Sequence, residues 1–261
     1  MTSRFTVEKD GHVLLIGVNR PEKRNAFDVP MFAELATAYE RLADDDELRA
    51  GVVFAHGDHF SAGLDLASVG PVVAAEGPSV ISGGKRFDPF ALWGPPVPKP
   101  IVIALQGVAF TLSIELALGA DIVIASEDVR FRQLEIGRGI VPFGNAPVHA
   151  PRSLGWGNAM RFLLTGEEFG AAEAHRIGLV QEVTPRGKQV ERATEIAHLI
   201  AKQAPLGVQA TLASARAART DGADAGREYL RANLGRIFAS EDAAEGVKSF
   251  VERREAVFKG R

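Results

Sequence analysis

Apolar residues fall along the chain in two rhythms. Phe5–Lys9 and Val13–Asn19 predict two strands joined at Asp10-Gly11, a dipeptide favoured in tight hairpins. Gly51–Ala55, Ile101–Leu105 and Ile122–Ala125 are unbroken apolar runs of strand length, as expected where a sheet is covered on both faces. Met31, Phe32, Leu35, Ala36, Tyr39 and Leu42 recur at helical spacing. Asp28 is that helix's candidate N-cap, Pro30 lies in its first turn, and the charged run Asp44–Glu47 ends it. Residues 70–100, rich in Gly and Pro, predict a long irregular loop with a short helix around Asp88–Trp93, the kind of loop that often carries binding. Beyond about residue 155 strand-like runs become rare and Ala-rich amphipathic helices take over. Val190, Ala193, Ile196, Ala197 and Ile200 mark one stripe; Leu230, Leu234, Ile237 and Phe238 mark another. The recurring strand–loop–helix rhythm, without strict repeat or low-complexity tract, predicts an α/β fold of stacked units with a helical last quarter.

The most apolar stretch, residues 101–125, is the one that could be mistaken for a membrane span. Such a helix needs about 20 largely uninterrupted apolar residues, and Gln106, Glu115 and Asp121 interrupt this one. It divides better into a strand, a loop, a helix over Leu112–Ala120 and a second strand. Glu115 then stands inside a helix whose neighbours Ile114, Leu116, Ala117 and Leu118 are apolar. A lone buried charge is expensive, so such a carboxyl pairs, takes up a proton or does chemistry.

Composition narrows the classes. With 261 residues, 46% apolar and 24% charged, the chain can bury a full core and is not disordered. A formal charge of −3 gives no basic surface for nucleic acid or an anionic membrane. The absence of cysteine excludes disulfides, thiolate catalysis and Cys-ligated metal centres, and fits a cytoplasmic protein. The opening MTSRFTVEKD has no apolar segment of the secretory kind. No GxGxxG, GxxxxGK[ST] or GxSxG pattern stands in the right context. His56 and His59 have metal-like spacing but lack convergent partners, so no metal site is expected; His149 reads as a hydrogen-bonded structural histidine.

Three segments remain. In HFSAGLDL, residues 59–66, the small Ser61, Ala62 and Gly63 let a ligand approach the backbone and expose the Leu64 N–H. In residues 106–121 the chain turns at Gly107 and enters a helix near Leu112, whose N–H is an unsatisfied donor at a positive helix end. Two such donors aimed at one oxygen make an oxyanion hole. RQLEIGRGIVP, residues 132–142, supplies Glu135.

These segments, with NRPEKRNAF near the start and FVERREAVFKGR at the close, resemble the crotonase (enoyl-CoA hydratase/isomerase) superfamily in order and spacing over essentially the whole chain. The resemblance implies a spiral of ββα units over residues 1–195 and a helical region, 196–261, that builds homotrimers or dimers of trimers. It implies an acyl-coenzyme A thioester as substrate and no cofactor beyond the coenzyme A the substrate carries. Carried over position by position, it puts oxyanion donors on the N–H groups of Leu64 and Leu112, and catalytic carboxyls on Glu115 and Glu135. Both acids together favour hydration of a 2-enoyl thioester, with Glu115 activating water and Glu135 protonating C2. A double-bond isomerase shuttling protons on Glu135, a thioester hydrolase and a non-catalytic acyl-CoA-binding relative are the rivals. For coenzyme A the resemblance points to Lys23, Arg24 and Ala26, to Ala62 and Asp65 beside Leu64, and to Lys259 with Phe258 reaching a neighbouring subunit. Two departures stand out: Thr111-Leu112-Ser113 replaces a glycine cluster, and PFGNAPVHAP a glycine-rich stretch. Phe143 is thus placed to intrude on the acyl pocket, with Phe87, Phe90 and Trp93 as a candidate wall, which suits a branched, aromatic or otherwise shaped acyl group.

Overall fold

The structure, a computed structural model, describes residues 4–261; the first three residues of the polar opening lie outside it. The first hairpin forms as expected, β1 (Phe5–Asp10) against β2 (Val13–Val18), antiparallel, with the turn at Gly11. The apolar runs become β3 (Ala50–Ala55), β4 (Ile101–Leu105) and β6 (Ile122–Ser126), which with β9 (Glu182–Thr184) continue the sheet in parallel. The order is β1-β2-β3-β4-β6-β9. A second, smaller sheet holds β5 (Val108–Phe110), β7 (Arg130–Arg132) and β8 (Phe169–Gly170).

The chain winds as a spiral between these sheets. One turn runs from β4 through β5 into α3 (Leu112–Gly119); the next runs from β6 through β7 towards α4 (Ala146–Leu154). The turn before them runs from β3 to α2 (Leu66–Glu76), and only the single bridge Ser61↔Ala109 represents the second sheet in it. Each turn therefore crosses from one sheet to the other before its helix begins, immediately so at α3 and by way of the Glu135 loop at α4, and the candidate site is built at those crossings.

Continuous apolar strands are explained by cover on both faces. On one face lie α1 (Val29–Asp44), through Met31, Phe32, Leu35 and Leu42, and the spiral's helices. On the other lies α7 (Gln189–Ala201), whose Ala193, Ala197 and Ala201 allow close approach to Val13, Val52, Val102 and Ile124. Between these come α5 (Trp156–Thr165) and α6 (Ala171–Arg176), and after them α8 (Pro205–Asp221), α9 (Ala223–Phe238) and α10 (Glu241–Glu252). The α9 stripe is not buried in the single chain: Leu230, Leu234 and Phe238 are exposed, as are Val247, Phe250 and Val251 of α10. No helix of the described residues is long and apolar enough to cross a membrane.

Some local expectations are corrected. Residues 70–100 are not one irregular loop, because α2 takes in Gly70 and Pro71 and buries Val69. Asp88–Trp93 is a turn rather than a helix: the buried Asp88 carboxylate accepts the N–H groups of Phe90, Leu92 and Trp93 that a helix would give to carbonyls. Asp28 occupies the N-cap position of α1 without capping it, since its carboxylate is held by Arg4 at 2.9 Å and Arg20 at 3.7 Å.

Candidate active site

The strand pairing sets two backbone amides beside each other. Ser61 donates its N–H to the Val108 carbonyl at 3.1 Å and its carbonyl accepts the Phe110 N–H at 3.0 Å; Ser113 Oγ donates to the same Ser61 carbonyl at 3.2 Å. Leu64 and Leu112 each lie three residues beyond their half of the Ser61↔Ala109 bridge. Phe27 bonds to the Gly63 carbonyl and the Asp65 N–H, so it flanks Leu64 and turns that residue's own N–H the other way. Among the described residues neither the Leu64 nor the Leu112 N–H donates to a protein group. The Leu112 amide also stands at the head of α3, where the helix dipole is positive.

The residue before it, Thr111, has φ +49° and ψ −109°, a conformation that favours glycine and strains a β-branched residue by roughly 1–3 kcal/mol. It is held there because its N–H donates to the Arg132 carbonyl at 2.8 Å while its carbonyl accepts the N–H of Ile114 at 2.9 Å. Opposite it, Gly63 has φ +99°, and a Cβ there would lie 2.1 Å from Thr111 Oγ1. Glycine is thus required at 63 on both counts.

Behind the amides lie the two acids. Glu115, in the first turn of α3, is 4% exposed. Its Oε1 accepts three backbone N–H groups at the head of α4: Gly144 at 2.9 Å, Asn145 at 3.0 Å and Ala146 at 3.3 Å. Asn145 Nδ2 donates to the Glu115 carbonyl at 2.8 Å and the Phe90 carbonyl at 2.7 Å, which fixes α4 against α3. Burial raises the Glu115 carboxyl above its ordinary value, and the three amides pull it back by favouring the charged form. Glu135, on the loop after β7, is 5% exposed and has no such cradle. Gln133 Nε2 reaches its Oε1 at 3.5 Å and its Oε2 has no partner. Burial first, then the charge of Glu115, push it up to about 7. The three amides thus favour the charge on Glu115, and burial beside that charge favours the proton on Glu135.

A stability measurement checks this assignment. An acid whose value rises from 4.5 unfolded to about 7 folded binds more protons when folded, so stability falls as pH rises through that window. The expected loss is on the order of 3 kcal/mol between pH 4.5 and 8. Denaturant titrations of wild type and Glu135→Gln should diverge in that direction with pH. Parallel curves would show that Glu135 does not hold the proton.

A cavity of about 190 Å³ opens beside these groups, with Ala62, Leu64, Thr111 and Glu135 on its wall. Leu66, Leu134 and Ile140 make it apolar, and Arg138 stands at it too. Glu115 does not line it. A larger opening, about 810 Å³, lies between the β1–β2 turn, α7 and the C-terminal tail, and shares no residue with the site.

The remaining expected residues are partly gathered. Ala62 donates its N–H to the Arg24 carbonyl at 2.9 Å, and Asn25, buried at φ +53°, straps its loop down through Nδ2 to the carbonyls of His56 and His59. Lys23, Arg24 and Ala26 therefore sit beside Ala62, while Asp65 is paired with Arg20 at 3.2 Å. Lys259 is not brought near in the single chain; its N–H donates to Asp242 at 2.7 Å, and the Phe258 carbonyl is bound by Arg49. Phe87, Phe90, Trp93 and Phe143 do not line the cavity: Phe90 is core, 6.3 Å from the Phe32 ring, and Trp93 Nε1 donates to the Phe143 carbonyl at 3.0 Å. His56 and His59 are occupied structurally, with Thr6 Oγ1 and the Val108 N–H respectively, and His149 bonds the Ala91 carbonyl. Sequence reasoning missed Asn25, Thr111 as a group in its own right, and the Gly144–Ala146 amides. The only hint at the last is the Gly-Asn-Ala-Pro run, which has the form of a helix start.

A cavity walled by Leu64, Thr111 and Glu135, with the free Leu112 amide next to Thr111 in the chain and Glu115 one turn further along α3, defines, on a two-sheet spiral, an acid–base site with an anion-stabilising corner. Residues 8–261 match the enoyl-CoA hydratase/isomerase family, and the chain belongs to it. The fold is the crotonase-type spiral. The chain is 33% identical over 260 residues to "Enoyl-CoA hydratase EchA19" of Mycobacterium tuberculosis, covering 98% of this chain and 96% of that protein. It is 31% identical over 261 residues to "2,3-dehydroadipyl-CoA hydratase" of Escherichia coli, covering 99% and 100%. A crystal structure from Mycobacterium abscessus, described as a probable enoyl-CoA hydratase/isomerase, superposes with a TM-score of 0.93 at 50% identity over 99% of both chains.

Proposed function

We propose that this chain is an enoyl-CoA hydratase, adding water across the 2,3 double bond of an acyl-CoA thioester. The observation that carries the reading is the unequal support of the two acids: three backbone N–H groups within 3.3 Å of Glu115 Oε1, against one side-chain amide at 3.5 Å on Glu135 and a lesser contribution there from the Leu134 and Glu135 N–H groups. That inequality supplies a base and an acid at the same pH. The thioester oxygen sits on the Leu64 and Leu112 N–H groups. Glu115 takes a proton from water, the hydroxide adds to C3, and the electron pair of the double bond moves to the thioester oxygen as an enolate. The enolate collapses, taking the proton of Glu135 at C2, and proton transfer between the pair restores the starting state. Only water is consumed, so the proposed chemistry calls for no metal or redox group. Named hydratases at about 30% identity support the reading, and the different acyl groups in their names leave the acyl portion open.

The placement of the acids favours one second reading. Glu135 lines the cavity and Glu115 does not, which is the arrangement expected if Glu135 alone carried a proton between C2 and C4 of a 3-enoyl thioester. Crotonyl-CoA and a 3-enoyl-CoA separate the two. Hydration removes conjugated enoyl-thioester absorbance and places heavy oxygen from labelled water on C3. Isomerisation of the 3-enoyl substrate creates that absorbance instead. We expect the first result; creation of absorbance without water incorporation would replace the reading. The exposed apolar stripes of α9 and α10 support the further proposal that copies of the chain associate as trimers or pairs of trimers.

A further inference from the structure

Thr111 is the one side chain at the cavity that combines backbone strain with an unused hydrogen-bonding group. It is 8% exposed, and its Oγ1 has no hydrogen-bond partner among the described residues. Buried hydroxyls are nearly always satisfied, so an unsatisfied one needs a reason. Its backbone conformation suits glycine, which would leave no polar atom unsatisfied there. The position is therefore occupied by a strained, β-branched, polar residue where a smaller and unstrained one would fit.

The location of the hydroxyl supplies the reason. Thr111 immediately precedes Leu112, and its Oγ1 packs against Gly63, which immediately precedes Leu64. The hydroxyl thus belongs to the residue before one free amide and packs on the residue before the other. Glu135 Oε2, the other unpartnered oxygen on this cavity, shares the wall with it. Both groups await a partner that the protein itself does not provide.

We propose that the Thr111 hydroxyl is a third donor to the thioester oxygen, joining the Leu64 and Leu112 N–H groups. The proposal rests on the acyl-CoA reading of this site but not on which reaction follows. In the bound complex the hydroxyl donates its hydrogen to the oxygen on which enolate charge develops. The strain at Thr111 is the means by which its Oγ1 is held over Gly63 in the absence of substrate.

The test compares Thr111→Val, which keeps the branched shape and loses the hydroxyl, with Thr111→Ser, which keeps the hydroxyl, and Thr111→Gly, which also relieves the backbone. Butyryl-CoA carrying a ¹³C label at the thioester carbonyl is bound to each, and the carbonyl stretch is read by difference infrared spectroscopy. Polarising donors lower that frequency. Thr111→Val and Thr111→Gly should raise it towards the free value and lower kcat about a hundredfold with little change in KM. Thr111→Ser should keep both band and rate near wild type. Thr111→Gly should also melt higher than wild type, which separates a lost donor from a damaged fold. An unmoved band and an undiminished kcat in Thr111→Gly would overturn the proposal. A wild type that shifts the butyryl-CoA band yet hydrates no enoyl-CoA would sink the hydratase reading alone, and the band would still decide the role of Thr111.

Discussion

Glu115→Gln will lower kcat for hydration by about a thousandfold while leaving the affinity for a saturated acyl-CoA near its wild-type value. The amide oxygen of Gln can still accept the N–H groups of Gly144, Asn145 and Ala146, so the join between α3 and α4 survives. What disappears is the basic lone pair that receives the proton of water. Glu135→Gln should cost a similar factor for the opposite reason: it removes a transferable proton but leaves a neutral side chain where a neutral one already stood. The comparison between them is more informative than either alone. A hydratase needs both groups, so both losses should be large. An isomerase with a single shuttle would tolerate Glu115→Gln and fail with Glu135→Gln. Full activity in either variant would remove the role assigned to that residue.

The pH profile should show the same division of labour. Activity should fall at high pH as Glu135 loses its proton around 7, and at low pH as Glu115 becomes protonated. Because the acids are coupled, the two limbs report the pair. In Glu135→Gln the group that titrates on the alkaline limb is gone, so any residual activity should lack that limb.

The parts of this site that are legible in the sequence are those whose signal is local. Strands buried on both faces show themselves as unbroken apolar runs, so β3, β4 and β6 can be read directly. A glutamate inside an apolar helix is conspicuous, and Glu115 stands out on its neighbours alone. Glu135 is distinguishable from an ordinary surface acid only through the family resemblance, because its burial comes from segments distant in sequence. Strands of two or three residues, such as β5, β7 and β8, are too short to show a period. The turn at Asp88 has a helical look because its aromatic and apolar residues fall close together; the side-chain carboxylate that breaks the helix is itself part of the run. The stretch after Glu135 reads in sequence as a lost glycine motif with an intruding Phe143. In the fold its main work is done by backbone: it starts α4, aims three N–H groups at Glu115, and puts Phe143 against Trp93 through a carbonyl. Backbone donors carry no residue-type signature, which is why side-chain reasoning passes over them.

Those donors make the sharpest test of how the base is held. Gly144 does not have a positive φ, so alanine is acceptable to the backbone there, but its methyl would lie 2.2 Å from Glu115 Oε2 and 2.5 Å from its Cδ. Neither approach is tolerable, and the obstruction is a buried carboxyl fixed at the head of a helix rather than a side chain free to swing. In Gly144→Ala the carboxyl must leave its cradle or α4 must shift away. Either movement breaks the bonds that hold Oε1 and leaves a buried charge with fewer donors. We expect kcat to fall by about two to three orders of magnitude, stability to drop by roughly 1–3 kcal/mol, and the acid limb of the pH profile to move upward. The upward shift is the diagnostic part, since removing N–H donors from a carboxylate raises its affinity for a proton. Overpacking elsewhere would lower stability without moving that limb. If Gly144→Ala turns over at the wild-type rate with its acid limb unmoved, Glu115 is not the base that the α4 amides hold in readiness, and the division of labour between the two acids has to be reassigned.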